Sequence, residues 1–110
     1  MAKLERILHE DFDRLTARIE QGILRGSSSA TLEESSDFAA EGARCSVRVF
    51  ERYSYLGSNR VSMNVTLFQP HPQAPVQLCA ITSGGSQATF FKVNTLGEEA
   101  FLETLEGILP

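Results

Sequence analysis

The sequence predicts one α+β domain: an antiparallel β-sheet of four to five strands with two helices packed on one face, in the order (β)-α-β-β-β-β-β-α over residues 1–110. Three observations predict it. Residues 12–25 carry apolar side chains at helical spacing. Residues 44–68 alternate with period two about a central turn. Residues 95–109 open on a helix-start signature and continue with a second apolar stripe.

Residues 3–9 hold Leu4, Ile7 and Leu8, which fit either a helical stripe or a strand. Asp11 as a cap would start a new element after them, so a short strand is preferred. In the first helix Phe12, Leu15, Ile19 and Ile23 fall on one face of a 3.6-residue period. Asp11 is the N-cap, Asp13 suits the positive end of the helix dipole, and Arg25 with Gly26 marks the end. Residues 28–33 suggest a short strand, and 34–42, rich in Ser, Asp and Gly, suggest a polar loop or irregular edge. Cys45, Val47 and Val49 then alternate with Arg44, Ser46, Arg48, Phe50 and Arg52. Val61, Met63, Val65 and Leu67 alternate with Arg60, Ser62, Asn64, Thr66 and Phe68. The turn Leu56-Gly57-Ser58-Asn59 joins the two runs into a hairpin. Alternation places the valines against the helices and Arg44, Arg48, Arg52 and Phe50 on the solvent face. Pro70, Pro72 and Pro75 break the ladder. Residues 76–82 and 88–93 read as further strands about the turn Ser83-Gly84-Gly85-Ser86. Thr95 with Glu98 forms a capping box for a last helix with Phe101, Leu105 and Ile108 buried.

Composition excludes several classes. The chain is 42% hydrophobic and 22% charged, the balance of an ordinary soluble domain. Its size suffices for one core of its own and not for two. No apolar run reaches the length of a membrane span, and the charged start Met1-Ala2-Lys3-Leu4-Glu5-Arg6 has no signal-peptide core, so a cytoplasmic location is expected. Cys45 and Cys79 read as buried reduced thiols. Two cysteines and two histidines (His9, His71) so dispersed give no metal spacing, no cofactor motif and no Ser-His arrangement. The net charge of −4 argues against nucleic acid. The sign is segregated, however: residues 43–96 carry Arg44, Arg48, Arg52, Arg60 and Lys92 against Glu51 alone, between acidic flanks. Acidic helices lying against a basic sheet would account for this, as would a positive patch for an anionic ligand.

Three groups are candidates for function. The first is the polar face of the hairpin. Its arginines suit carboxylate or phosphate, and its Phe50 and Phe68 would serve a homodimer. The second joins Glu51-Arg52-Tyr53-Ser54-Tyr55 to Asn59-Arg60, with Glu51 on the valine side and Lys92 as its partner. Glu51 there is a structural ion pair, an acid–base group in a pocket, or a side chain at a strand end that simply reaches solvent. The third is Thr82-Ser83-Gly84-Gly85-Ser86-Gln87, whose amides could cradle an anion, although a hairpin turn explains both glycines. The binding set is thus Glu51, Arg52, Tyr53, Tyr55, Arg60, Ser83, Gly84, Gly85, Ser86, Gln87 and Lys92, with no catalytic residue and no metal ligand assigned.

Val47-Arg48-Val49-Phe50-Glu51-Arg52-Tyr53-Ser54-Tyr55, Asn59-Arg60-Val61-Ser62, Ile81-Thr82-Ser83-Gly84-Gly85-Ser86-Gln87 and Phe90-Phe91-Lys92-Val93-Asn94-Thr95 resemble a family of small uncharacterised bacterial proteins, a single domain of unknown function about this long. The resemblance also takes in Leu32-Glu33, Ser36-Asp37-Phe38 and residues 97–102. It implies a free-standing domain and no particular chemistry. The functional reading is therefore a small cytoplasmic binding or protein-interaction domain, with an anionic small molecule and a second copy as candidate partners. The alternative is a small enzyme or carrier with a polar pocket around Glu51 and Lys92.

Overall fold

A computed structural model describes residues 1–54, 59–84 and 91–110, the side chains of 91–95 excepted. The elements run β1 (Ala2–Leu8), α1 (Phe12–Gly26), β2 (Thr31–Ala40), β3 (Ala43–Ser54), β4 (Asn59–Gln69), β5 (Val76–Gly84) and α2 (Phe91–Ile108). The five strands form one antiparallel sheet in the order β1-β5-β4-β3-β2. Because β1 and β2 lie at opposite edges, α1 must carry the chain across the sheet. The meander β2 to β5 then returns it to β1, and α2 packs beside α1 on the same face. The α+β class and the helices on one side are as the sequence predicts. Among the described residues no helix is long and apolar enough to cross a membrane.

Local chemistry explains α1. The Asp11 carboxylate accepts a hydrogen bond from the Arg14 amide at 3.0 Å, satisfying one of the helix's orphan donors. Phe12, Leu15, Ile19 and Ile23 are all buried. They meet Phe101, Leu102 and Leu105 of α2 over Leu4, Leu8, Val61, Met63, Val65, Leu67, Val76, Leu78 and Ala80 of the sheet. β4 is the clearest strand: Val61, Met63, Val65 and Leu67 face the helices, and Arg60, Ser62, Asn64, Thr66 and Phe68 face away.

Three segments differ in extent or kind from expectation. Residues 34–40, expected as a polar loop or irregular edge, are the edge: β2 runs the full ten residues from Thr31, every one exposed, with a bulge between Leu32 and Glu34. An edge strand covered on neither face has no hydrophobic contrast to write into its sequence, so the period-two signal is missing. Its turn is nevertheless encoded. Glu41 and Gly42 take φ of 51° and 89° between the paired Ala40 and Ala43, a two-residue turn that glycine permits. The strand expected over 88–93 is replaced at 91–93 by the first residues of α2, while 88–90 lie outside the described residues. Thr95 accordingly stands inside α2 rather than at its cap. Glu98 is buried, and its carboxylate accepts the Gly84 amide at 2.7 Å, closing the end of β5. Ser83 and Gly84 thus belong to β5. Gly85, Ser86, Gln87 and the turn residues 55–58 lie outside the described residues.

The largest correction concerns β3. Register with β4 pairs Arg44 with Gln69, Arg48 with Val65, Phe50 with Met63 and Arg52 with Val61. Directly paired residues share a face. Arg44, Arg48, Phe50 and Arg52 therefore point under the helices, and Cys45, Val47 and Val49 point to the uncovered face. Phe50 is fully buried. The two cysteines are free and half-buried on the uncovered side, not in the core. The cause is position. β3 lies at the margin of the helical layer, where the core thins and the charged edge of α1 begins. Arginine suits that margin, laying its aliphatic stem on apolar surface while its head reaches polar groups.

Candidate functional site

The inverted strand sets three guanidinium groups in a row along the seam between sheet and helices. Arg44 stacks on the Phe12 ring, 4.2 Å from its centroid, and donates to Asp13 at 2.7 Å. Arg48, whose side chain is only 11% exposed, donates to Glu20 of α1 at 2.5 Å and to both carboxylate oxygens of Asp37 in β2 at 3.1 Å. Arg52 stacks on Phe101 at 4.4 Å and donates to Thr104 Oγ1 at 3.0 Å. Among the described residues it has no carboxylate partner.

Electrostatics separates Arg52 from the other two. The hydrogen bond to Asp13 leads in raising Arg44 above its ordinary pKa. For Arg48 burial is the largest influence and acts downward, yet Asp37 and Glu20 together leave it raised. Arg52 is lowered, and burial is the cause. Arginine keeps its proton regardless. The downward shift follows from taking the cation out of water.

Arg52 lies in the wall of a recess of about 260 Å³ with Gly26, Ser27, Tyr53, Ser54, Gly97 and Ala100. Small residues make the space. A Cβ at Gly97 would stand 2.6 Å from Ser54 Oγ, so glycine is what lets α2 close on the end of β3. Thr104 Oγ1 donates to the Ala100 carbonyl of its own helix while accepting from Arg52, which fixes the guanidinium on the ring. A planar five-donor fork held in place, with most donors uncommitted among the described residues, is suited to bidentate capture of carboxylate or phosphate.

The predicted binding set divides between the two faces. Arg52 and Gly84 are on the helix side. Glu51, Tyr53, Arg60 and Ser83 are on the uncovered side, where Arg60 Nε donates to Glu51 at 2.9 Å and the Ser62 and Ser83 hydroxyls meet at 2.9 Å. Glu51 does share a face with Val49 and Tyr53, as predicted, but that face is open and its ion-pair partner is Arg60. It lines neither the Arg52 recess nor the larger cleft of about 580 Å³ at the opposite end of the sheet, walled by His9, Asp11, Arg44, Gln69 and Pro72 among others. Lys92 lies in α2, and nothing is described of its side chain; Tyr55, Gly85, Ser86 and Gln87 are outside the described residues. Of the expected platform, Arg60, Ser62, Asn64, Thr66 and Phe68 do face the open side, while Arg44, Arg48, Arg52 and Phe50 are turned to the helix side. Gly97, Thr104 and Phe101 are the partners that sequence reasoning missed. Phe101 read only as core, and the hydroxyl at 104, three residues from it, was the available signal.

A pH test follows from the paired end of the row. The hydrogen bond from Arg44 holds Asp13 below the ordinary 3.8, and that from Arg48 does the same for Asp37. A depressed folded-state pKa contributes stability that is complete above the unfolded value and is lost as pH falls through the folded one. Thermal unfolding followed from about pH 5 to about pH 2.5 should therefore show a steeper drop in Tm for the parent than for the Asp13→Asn/Asp37→Asn double variant. Parallel curves would show that the arginines do not hold these carboxylates.

The chain matches, over residues 1–110, the model of a family of unknown function (DUF6054). It belongs to that family. Membership spans the whole domain, the Arg52 recess and the open sheet face included, and attaches no activity to either. No curated protein matches the chain.

Proposed function

We propose that this DUF6054 domain is a small cytoplasmic binding domain that takes the anionic group of a small molecule, a carboxylate or a phosphate, on Arg52. The observation that carries this reading is the contrast within one row of side chains. Arg44 has Asp13 and Arg48 has Glu20 and Asp37 as carboxylate partners, whereas Arg52 has a ring, one hydroxyl and an adjoining recess. An anion entering the recess supplies the missing counter-charge. The low local dielectric strengthens that contact relative to one made in water. The volume admits a small acid or phosphate ester headgroup and no large cofactor.

Thermal unfolding at low ionic strength with inorganic phosphate, acetate and succinate tests this, with sodium chloride at matched ionic strength as the blank. A ligand at ten times its Kd stabilises by about 1.4 kcal/mol, which moves Tm by about 5 °C in a domain of this size. The shift is expected for at least one oxyanion in the parent, weakened in Arg52→Lys, absent in Arg52→Gln, and retained in Arg60→Gln. Equal shifts in the parent and Arg52→Gln, or none beyond the chloride blank, would remove the proposal.

A further inference from the structure

The sheet has helices on one face only. From the opposite face the register sets out four rungs across the five strands: Ile7, Gln77, Phe68, Cys45, Phe38; then Glu5, Cys79, Thr66, Val47, Ser36; then Lys3, Ile81, Asn64, Val49, Glu34; and, without β1, Ser83, Ser62, Glu51, Thr31. The first is a mostly apolar band, interrupted by the exposed Gln77 between Ile7 and Phe68. Ile7 is 65%, Phe38 62% and Phe68 40% exposed in it, with Ile81 two rungs on at 41%. Between Phe38 and Phe68 lies a slot of about 340 Å³ walled by Ala39, Ala40, Ala43 and Cys45, with Arg44 its one charged lining residue. Phe50, which alternation had offered as the second interface ring, is in the core, and Phe38 is the ring that accompanies Phe68.

We infer that this face packs against the same face of a second copy, sheet on sheet. Charge favours a second copy over a charged partner. Lys3 pairs with Glu5 and Arg60 with Glu51, so these charges cancel within the chain, and the acidic residues Glu33 and Glu34 lie at the β2 margin, away from the Phe38–Phe68 end. Like therefore meets like across the band without repulsion, and a polyanion finds no net positive field. The size also fits. Five strands at about 4.8 Å and four rungs at about 6.8 Å give about 650 Å² in flat projection, more once the pleat is counted. A standard interface buries about 800 Å² per partner. Two faces at the usual separation of about 10 Å interdigitate their side chains, so an exposed ring of one copy can enter the slot of the other. A two-fold axis makes that exchange reciprocal.

Light scattering after size exclusion, with sedimentation equilibrium for Kd, tests this on the full chain. The parent is expected at twice the monomer mass. Phe38→Glu and Phe68→Glu should each raise the dimer Kd about 30-fold or more, the effect of losing a hot-spot ring, with far-UV circular dichroism unchanged because both rings are already solvent-exposed. Hydrogen exchange should slow at amides of β3 and β4 in the dimer and stay unchanged along the free edge of β2. A monomeric parent at about 0.5 mM, far above any Kd that a standard interface gives, would overturn the inference. So would a dimer indifferent to both glutamates, or protection gained along β2, which marks edge-to-edge pairing instead.

Discussion

Phe50→Ala should destabilise the domain by about 3–5 kcal/mol, the cost of emptying a fully enclosed phenylalanine site. Val49→Ala, one residue away on the open face, should cost well under half of that. Phe50 has no exposed surface and joins the cluster with Met63, Leu105 and Phe101, while Val49 is only part-buried, beside Asn64 and Glu34. Urea unfolding of the two variants reads the difference directly, the midpoint moving far for one and little for the other at unchanged slope. The reverse order would turn β3 over and return its three arginines to solvent. The recess proposed for anion binding would then lose its only guanidinium, so this pair of variants tests the foundation of the functional reading as well as a packing detail.

What the sequence conveyed about each strand depended on how sharply burial separates its two faces. β4 has helices on one side and open space on the other, and its four large apolar residues at 61, 63, 65 and 67 could be read in one way only. β2 has open space on both sides, so only its start, up to Glu33, read as strand, and Glu34-Ser35-Ser36-Asp37 carried no period and read as a polar loop or irregular edge. β3 gave a clear period with the wrong face. Counting apolar residues favoured Cys45, Val47 and Val49, but a residue's fit to the margin of a core is not its hydropathy. Arg44, Arg48 and Arg52 each cover apolar surface with a long stem and then find a ring, a carboxylate or a hydroxyl. One clue was present in the charges. A basic middle between acidic flanks was consistent with helices neutralising a sheet, and Asp13 and Glu20 of α1 do so through Arg44 and Arg48. Arg52 was singled out from the sequence among eleven candidates. That, among the described residues, it alone of the row lacks an acidic partner needed the register, because partners 50 residues away in the chain leave no local pattern.

Removing Arg48 should have the second-largest effect, about 2–3 kcal/mol for Arg48→Ala, because two carboxylates lose a shared partner at the sheet–helix seam. The value falls short of that for a fully enclosed ion pair, since Asp37 is 64% exposed and Glu20 32%, and both can turn to water. Arg48 also joins three elements, reaching Glu20 on α1 and Asp37 on β2 from β3. Loss of the guanidinium should therefore loosen the whole β2 edge, visible as faster amide exchange over residues 31–40 than the change in global stability accounts for. A double-mutant cycle between Arg48→Ala and Glu20→Ala isolates the pair, with a coupling of about 1 kcal/mol or more expected. Arg48→Met, which keeps the stem and discards the charge, should recover part of the lost stability if lining the core margin is half of what arginine does there. If Met and Ala prove equally damaging, the stem contributes nothing. β3 would then be held to α1 by charge alone, and raising the salt concentration should weaken the parent toward the variant.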